Sequence, residues 1–473
     1  MNAVSPTPAW APGFPAQRPV PRHTLEAFLA VEFLCQLALL VPGLNVGPLR
    51  LLWRAGVFAL SIALIAVLRG KRRASPAAVA AFWVMALMTV ELFHPTGNSV
   101  ASAVAQWAMY LAVLAPLFWM PRLEITPQMF RRVLLLFWGF YSLSALVGVL
   151  QVYDPGHFQP QLSPLVASMG DAIQGLKITL ANGATIFRPM GLTDTPGGAA
   201  TAGMWAVIFG LGLLLTLPRG RPWLLKRAAL LGSMLIGAGC IYLSQVRVLM
   251  VVLAVWMVAF LGFLLWHRRW RQFLVLALMA AAVGGGAWVM AARVGGANMT
   301  TRAATVAGAQ NARTAFLQER GAFVRQTFTS LLPTYPLGAG LGRWGMMNTY
   351  FGDNTNPDRG RIYVEIEWQG WVLDGGVPML IAYLALLATA MLMLWRIARR
   401  RGPMAVWALL CLAYDVGVIA FSFDYTPFTG EAGMEFWFIN ALVLAAAAWY
   451  RRQLAAAATG WSGSWGGHWS GHG

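Results

Sequence analysis

The sequence predicts an all-α polytopic membrane protein with about twelve transmembrane helices and a large helical loop between the ninth and tenth. Three observations lead to this fold class. Of the 473 residues, 58% are hydrophobic and 11% are charged, whereas soluble domains average about 25% charged residues. Apolar runs approach the roughly 20 residues that a helix needs to cross a bilayer. The short segments between these runs alternate between basic and nearly uncharged.

The apolar runs form three blocks of predicted spans, with five in residues 24–153, four in 198–293 and three in 376–450. Because backbone groups in lipid must satisfy their own hydrogen bonds, each run is predicted to be a helix. The individual runs lie at 24–43, 51–68, 77–93, 100–120, 133–153, 198–217, 228–243, 248–266, 273–293, 376–395, 403–421 and 435–450.

Basic residues between the runs predict the orientation of the chain. Five joints together carry 18 Arg and Lys residues, whereas the four alternate short joints carry two, Arg50 and Arg247. Cytoplasmic loops collect Lys and Arg, so both termini are predicted to be cytoplasmic. The net charge of +18 then reflects topology, and no nucleic-acid partner is predicted. The five basic joints are 69–73, 121–132, 218–227, 267–272 and 396–401.

Four segments lie outside the predicted spans. Residues 1–23 are Pro-rich and residues 451–473 end in a Gly/Ser/Trp/His-rich stretch, so both are predicted to be disordered and cytoplasmic. Residues 154–197 and 294–375 are predicted to lie on the outer, periplasmic side. Loops of this length are usually functional, and the second one is predicted to carry the catalytic groups.

Two arginines on the predicted outer side are candidates for an anion site. Arg247 lies in a hairpin with almost no loop, where a guanidinium must reach lipid headgroups, pair with an acid or bind an anion. Arg188 precedes 192-LTDTPGG-198, which can cap the sixth span and leave helix N–H groups pointing outward. The alternative for Arg247 is a contact with lipid headgroups. The alternative for Arg188 is that the segment is an ordinary capped helix start.

A glycine-rich stretch in the large loop, 336-PLGAGLGRWG-345, has the spacing of a dinucleotide-binding fingerprint. That fingerprint requires a βαβ unit, and the stretch is predicted to lie on the side of the membrane away from ATP and NAD. We predict instead that Gly340 and Gly342 bring backbone amides close to another phosphate, with Arg343 beside them. The alternative is a flexible turn that packs on helices.

The large loop also supplies a third arginine and two carboxylates. Apolar residues at helical spacing predict an amphipathic helix over 313–332, which carries Arg320. Glu365 and Glu367 precede the tenth span, and a carboxylate there is a candidate general base. Pairing with the nearby arginines of the loop is the alternative. The sequence contains no HExxH, no GxSxG and no metal-spaced set of Asp or His, so no metal and no cofactor are predicted.

Taken in order, these segments resemble the O-antigen ligase and polymerase superfamily of bacterial cell-envelope glycan assembly. The similarity extends over about residues 180–395. It is carried by 188-RPMGLTDTPGG-198, 244-SQVR-247, 336-PLGAGLGRW-344 and 373-LDGGVPM-379. The resemblance implies a GT-C-like, inverting glycosyltransferase of the bacterial inner membrane that uses neither a nucleotide sugar nor a metal.

The same resemblance implies the substrate and the roles of the arginines. The donor is an undecaprenyl-pyrophosphate-linked glycan, cleaved at its sugar–phosphate bond on the periplasmic face, and the acceptor is a sugar hydroxyl. Arg188, Arg247 and Arg320 are the expected pyrophosphate-binding residues, and Arg343 joins them by position alone. Expected partners are membrane lipid, a chain-length regulator and polysaccharide export proteins.

One departure from the family pattern bears on the reaction. Ligases of the family place a His-Asn pair about eleven residues before the glycine that ends the loop, and counting back from Gly376 leads here to Glu365. Either Glu365 or Glu367 replaces the histidine, or the chain belongs to a polymerase branch with different acceptor chemistry. This favours an exopolysaccharide or O-antigen polymerase over a ligase acting on lipid A-core.

A lipid-linked-sugar flippase or secondary transporter is the main alternative class. Such proteins place polar groups near the middle of the bilayer, and Glu32, Glu91 and Asp415 lie within predicted spans. No repeat of the first half is visible in the second half, and the large loop has no counterpart in the first six spans.

Overall fold

The computed structural model describes residues 23–462, apart from 69–74, 163–169, 219, 308–313, 315–316, 318–319, 354 and 401. It is 77% helical, and the described residues contain one two-stranded antiparallel sheet. The predicted all-α polytopic class is confirmed at this level. The predicted disordered residues 1–22 and 463–473 lie outside the described part.

Twelve long helices follow one another in the described chain, one for each predicted span. They are α1 (Thr24–Ala38), α2 (Gly47–Val67), α3 (Pro76–Glu91), α4 (Val100–Trp119), α5 (Pro127–Tyr153), α6 (Gly198–Thr216), α7 (Leu224–Ser244), α8 (Arg247–Trp266), α9 (Trp270–Ala307), α10 (Glu367–Ala398), α11 (Ala405–Phe421) and α12 (Glu431–Ser462). The strands are β1 (Lys177–Thr179) and β2 (Thr185–Phe187), with Ile178 opposite Ile186.

Short helices occupy the connections. Among the described residues, four of them are α-helices, four are 3-10 helices of three to seven residues, and one is a π-helical turn. The short α-helices are Pro155–Phe158, Arg320–Gln326, Leu332–Thr334 and Gly345–Phe351. The 3-10 helices are Met120–Arg122, Gly170–Leu176, Arg221–Trp223 and Pro357–Arg359, and the π-helical turn is Thr327–Leu331.

Nine of these helices are long and apolar enough to cross a membrane, namely α2, α4 to α10 and α12. Helices α3 and α11 are apolar but shorter, with 16 and 17 residues, and α1 has 15. The described chain is therefore that of a multi-pass membrane protein. The count of twelve crossings stays a prediction.

Polar contacts show which helix ends lie together. Arg122 Nη1 donates to the carbonyl oxygens of Ile65 at 2.5 Å and Leu68 at 2.8 Å, which joins the ends of α4 and α2. Arg132 pairs with Glu26 at 3.6 Å, which joins the starts of α5 and α1. The predicted basic joints connect the helices at this end of the bundle, and we call it the basic end.

The opposite end, which we call the loop end, holds the long connections. Asn98 Nδ2 donates to the carbonyl oxygens of Asp353 at 2.8 Å and Arg359 at 2.7 Å, so the large loop covers the start of α4. The backbone N–H of Glu367 donates to two carbonyl oxygens of the connection after α11, Tyr425 O at 3.0 Å and Ser422 O at 3.2 Å. The starts of α4 and α10 and the end of α11 therefore meet here.

Helices extend further than the predicted segment boundaries. Helix α9 continues to Ala307 through a bend at Gly296, and α10 begins at Glu367 but is broken at Gly375 and Gly376. The break coincides with the predicted boundary at residue 375, because the glycines that interrupt the apolar pattern also interrupt the helix. Helix α12 runs to Ser462, so residues 451–462 of the predicted disordered tail are helical, as their alanine-rich sequence allows.

Small residues allow close helix packing in the core. A Cβ added at Gly203 of α6 would lie 2.4 Å from the carbonyl oxygen of Gly237 in α7, and one added at Gly237 would lie 2.6 Å from Gly203 O. Close approach of backbones through glycine is a general device of membrane helix interfaces. It sets α6 firmly against α7 and so positions the connection that precedes α6.

Candidate functional site

A cluster of two arginines on one aspartate lies at the loop end, at the start of α2. Arg50 Nη2 lies 3.1 Å from Asp194 Oδ2, and Arg54 forms an ion pair with Asp194 Oδ1. Arg54 Nη2 also lies 3.4 Å from Thr195 Oγ1. Arg50 and Arg54 are four residues apart in α2, so both side chains reach the same carboxylate.

The same cluster retains open hydrogen-bond donors. Arg50 Nη1 is buried, and no described residue accepts a hydrogen bond from it. Arg54 is 38% exposed in its side chain. Buried polar groups are normally paired, and here the Arg50 Nη1 donor is not. The cluster is therefore suited to receive an additional anion.

Arg188 is held at the loop end by a turn that is anchored to α5. Gln151 Oε1 accepts hydrogen bonds from the backbone of Met190 at 2.7 Å and Gly191 at 2.9 Å, and Gln151 Nε2 donates to Gly191 O at 2.9 Å. The backbone N–H of Arg188 donates to Leu176 O at 2.9 Å, next to the β1–β2 hairpin. These contacts fix the backbone from which the half-buried Arg188 side chain extends.

Gly197 lies next to both Arg188 and the start of α8. A Cβ added at Gly197 would lie 3.3 Å from Val246 Cγ2 and 4.0 Å from Arg188 Cδ. Arg247, the next residue after Val246, is the first residue of α8 and is exposed. Within the described chain it forms no ion pair. The structure thus brings two of the predicted arginines to one region, beside the Asp194 cluster.

Arg320 lies in a second cluster, with two carboxylates and a tyrosine. It pairs with Glu365 through Nη1 and with Asp424 through Nε, the latter at 3.1 Å, while the Tyr363 hydroxyl donates to Glu365 Oε2. Burial lowers the pKa of Arg320, but its hydrogen bond with Glu365 and the charge of Asp424 outweigh this, so the pKa is raised. The hydrogen bond to Glu365 also raises the pKa of Tyr363.

The connection between α11 and α12 links the two clusters. It supplies Asp424 to Arg320, and the following residue, Tyr425, lies within electrostatic range of Arg54, as does Glu431 at the start of α12. The two arginine clusters are therefore both close to residues 424–431. Together they form one arginine-lined region at the loop end, which we call the arginine site.

The two glutamates predicted as candidate bases occupy different environments. Glu365 precedes α10 and is partly exposed, with 24% of its side chain accessible. Glu367 is the first residue of α10 and is fully buried, where its Oε2 accepts a hydrogen bond from Phe428 N at 2.9 Å. Glu365 contacts Arg320 and Tyr363, whereas Glu367 is bonded to the connection after α11, so the two carboxylates have different partners. Only Glu365 belongs to the arginine site.

The glycine-rich stretch 336–345, which we call the glycine segment, docks into the break of α10. Val377 N donates to Pro336 O at 2.9 Å, and Ala339 N donates to Leu373 O at 2.7 Å. These bonds replace those that the helix loses at its break. Gly376 has a positive φ of 61°, and a Cβ added there would lie 2.0 Å from Pro336 O.

Gly340 and Gly342 approach protein backbone at the start of α4. A Cβ at Gly340 would lie 2.8 Å from Gly97 Cα, and one at Gly342 would lie 2.4 Å from the carbonyl carbon of Ser102. Both glycines have positive φ, 89° and 74°. The predicted close approach is present, but the partner is the chain itself, so these two positions serve packing rather than the predicted phosphate contact.

Arg343 also binds backbone. It is 5% exposed, and it donates from Nη1 to Thr96 O at 2.8 Å and from Nε and Nη2 to Gly360 O at 3.3 and 3.2 Å. Burial lowers its pKa. Its side chain ties the large loop to the connection after α3, and its guanidinium is occupied there instead of pointing into the arginine site.

We therefore expect Arg343→Met to reduce stability. The exchange preserves most of the side-chain volume but removes the donor from the carbonyl groups of Thr96 and Gly360, whose hydrogen bonds are partly buried. Leaving such a group unpaired costs up to about 1–3 kcal/mol. Thermal unfolding of the purified protein in detergent measures the loss, with Arg325→Met, an exposed arginine of the same loop, as the matched control. An unchanged melting temperature for Arg343→Met would contradict this structural role.

Asp374 fastens the loop to the bundle just before the break in α10. It accepts hydrogen bonds from Tyr110 Oη at 2.7 Å, Trp344 Nε1 at 2.9 Å and Gln106 Nε2 at 3.4 Å. Its three donors come from α4 and from the end of the glycine segment. This buried network fixes the position from which Glu365 and the start of α10 extend.

Two acids considered for a transport function lie inside the bundle. Glu32 is 1% exposed and Asp415 is 0% exposed, and Asp415 Oδ1 accepts a hydrogen bond from Asn440 at 2.9 Å. Within the described chain, neither acid forms an ion pair with an arginine. In that part of the chain, no group of three or more His, Cys, Asp or Glu side chains is arranged to hold a metal ion.

Sequence reasoning identified three of the arginines in this region and missed three partners, Arg50, Arg54 and Asp424. A signal was available for the first two. They are arginines four residues apart at a helix end where the topology rule predicts few basic residues. Their common partner, Asp194, is 140 residues from Arg54 in the sequence.

The sequence matches no protein-family model and no curated protein.

Proposed function

We propose that the chain is an inverting membrane glycosyltransferase that joins undecaprenyl-pyrophosphate-linked oligosaccharide repeat units on the periplasmic face of the bacterial inner membrane. It acts as an exopolysaccharide or O-antigen polymerase of the O-antigen ligase and polymerase superfamily. Twelve helices cross the membrane, both termini are cytoplasmic, and the large loop forms a GT-C-like catalytic region. Its partners are membrane lipid, a chain-length regulator and polysaccharide export proteins.

One observation carries this proposal. The arginine site gathers Arg50, Arg54, Arg188, Arg247 and Arg320 at the loop end of an apolar bundle, and Arg50 Nη1 has a donor that no described residue satisfies. A ligand for this site must reach the end of an apolar bundle and must accept hydrogen bonds from arginine. A lipid-linked diphosphate does both, because its lipid tail lies in the bilayer and its phosphates lie at the helix ends. Arginine suits it, since its planar fork binds phosphate through two parallel hydrogen bonds.

The chemistry assigns separate tasks to the arginines and to Glu365. The acceptor hydroxyl oxygen attacks the anomeric carbon, the bond from that carbon to the phosphate oxygen breaks, and its electron pair passes to the departing diphosphate. Guanidinium groups stabilise the negative charge that develops there. The hydroxyl proton passes to Glu365, whose carboxylate pairs with Arg320 and accepts a hydrogen bond from Tyr363.

Glu365→Gln tests the role of the base. The amide retains the shape and one hydrogen bond to Arg320 but cannot accept the proton, so we expect polymer formation to fall about 10²–10⁴-fold. Synthesis from a labelled lipid-linked repeat unit in proteoliposomes gives the rate. Glu367→Gln is the matched control, because Glu367 lies in the interior, and we expect it to remain active. Equal loss in both variants would contradict the assignment of Glu365.

Arg247→Ala tests the reaction class. We expect the protein to remain inserted, polymer to be lost and single lipid-linked repeat units to accumulate on the outer leaflet, because only the transfer step fails. Labelling of surface-accessible glycan on spheroplasts locates these units. Accumulation on the inner leaflet would instead identify a flippase, and single units attached to lipid A-core by the wild-type protein would identify a ligase. Normal polymer from both Arg247→Ala and Glu365→Gln would contradict the proposed site.

A further inference from the structure

An apolar cavity lies at the basic end of the bundle, far along the helices from the arginine site. Its volume is about 480 Å³, and it is lined by the basic ends of α5, α6, α7, α11 and α12. The walls include Phe130, Leu134, Leu230 and Trp407. Pockets for small molecules typically measure about 300–1,000 Å³ and are mainly apolar, so this cavity is large enough for a hydrocarbon chain.

Two basic side chains, Arg131 of α5 and Lys226 of α7, also line this cavity. Both are exposed. Neither forms an ion pair within the described chain, and Lys226 Nζ lies 4.3 Å from the centre of the Trp223 ring. Their charge is available to an anion. An apolar chamber with two unpaired cations at its edge is complementary to a molecule that has a hydrocarbon chain and a negative head.

We propose that this cavity binds an anionic phospholipid from the leaflet at the basic end. One acyl chain occupies the space between Phe130, Leu230 and Trp407, and the headgroup phosphate lies between Arg131 and Lys226. Basic pockets between transmembrane helices on the cytoplasmic side are known to select anionic headgroups. The site is separate from the arginine site and holds a resident lipid rather than the glycan donor.

Lipid retention tests this proposal independently of any transferase activity. The full-length protein is reconstituted in vesicles of equal phosphatidylglycerol and phosphatidylcholine with matched acyl chains, extracted in detergent and examined by native mass spectrometry. We expect the wild-type protein to retain phosphatidylglycerol in preference to phosphatidylcholine. In the double variant Arg131→Ala/Lys226→Ala, this preference should fall at least about tenfold, since each cation near a headgroup contributes to binding.

Two further variants make the result specific. Arg269→Ala/Arg271→Ala removes the same charge from another basic joint that does not line the cavity, and it should retain phosphatidylglycerol as the wild type does. Ala229→Phe fills the cavity at an exposed wall position and should reduce retention of both lipids. Equal retention of the two lipids by the wild type would overturn the proposal. So would full phosphatidylglycerol retention in both Arg131→Ala/Lys226→Ala and Ala229→Phe.

Discussion

Replacing Arg54 by alanine is expected to lower polymer formation about 10²–10³-fold, the usual effect of removing one donor that stabilises charge in a transition state. The fold should persist, because Arg50 still pairs with Asp194 at 3.1 Å. Arg54→Lys should recover part of the activity, since an ammonium group supplies the charge but not the two parallel hydrogen bonds. Polymer synthesis in proteoliposomes and the melting temperature of the same preparation separate activity from stability.

Arg325→Ala is the control for this experiment. Arg325 is an exposed arginine of the same loop end that belongs to neither arginine cluster, so its removal changes the local charge without touching the site. Full activity in both Arg54→Ala and Arg50→Ala would show that this cluster does not face the leaving diphosphate. The arginine site would then be reduced to the residues around Arg320.

Gly376→Ala is expected to have the largest effect on folding. The residue has a φ of 61°, which costs a non-glycine residue about 1–3 kcal/mol, and its Cβ would lie 2.0 Å from Pro336 O and 2.7 Å from Leu337 N. The glycine segment would have to leave the break in α10, together with its two hydrogen bonds. We expect a loss above about 4 kcal/mol, measured as reduced yield of monodisperse protein and a lower melting temperature.

Gly262→Ala provides the matched control. Gly262 lies within α8, and an added Cβ there would meet nothing within 4 Å. Alanine is favoured over glycine in a helix by about 1 kcal/mol, so this variant should be as stable as the wild type or slightly more stable. Equal stability of Gly376→Ala and Gly262→Ala would contradict the docking of the glycine segment into α10.

Segment boundaries show where local sequence stops being sufficient. Apolar runs predicted each long helix, but the tenth run was placed from residue 376, whereas α10 begins at Glu367. The first turns of α10 mix polar and apolar residues and so do not form a continuous apolar run. They are also held by contacts with the connection after α11. Glu367 illustrates this, because its backbone and carboxylate are both bonded to that connection.

The sequence alone determined the helical class, the alternation of a basic end with a loop end, and the presence of arginines on the side where few are expected. These are local properties, since a helix satisfies its own backbone and each joint carries its own charge. Only the tertiary structure decided which arginines remain open to an anion. Arg343 was predicted from the sequence to bind phosphate, but it is bound to Thr96 O and Gly360 O. Arg54 pairs with Asp194, 140 residues away in the sequence, and 38% of its side chain remains exposed. The sequence could not show this pairing, because only folding brings such distant residues together.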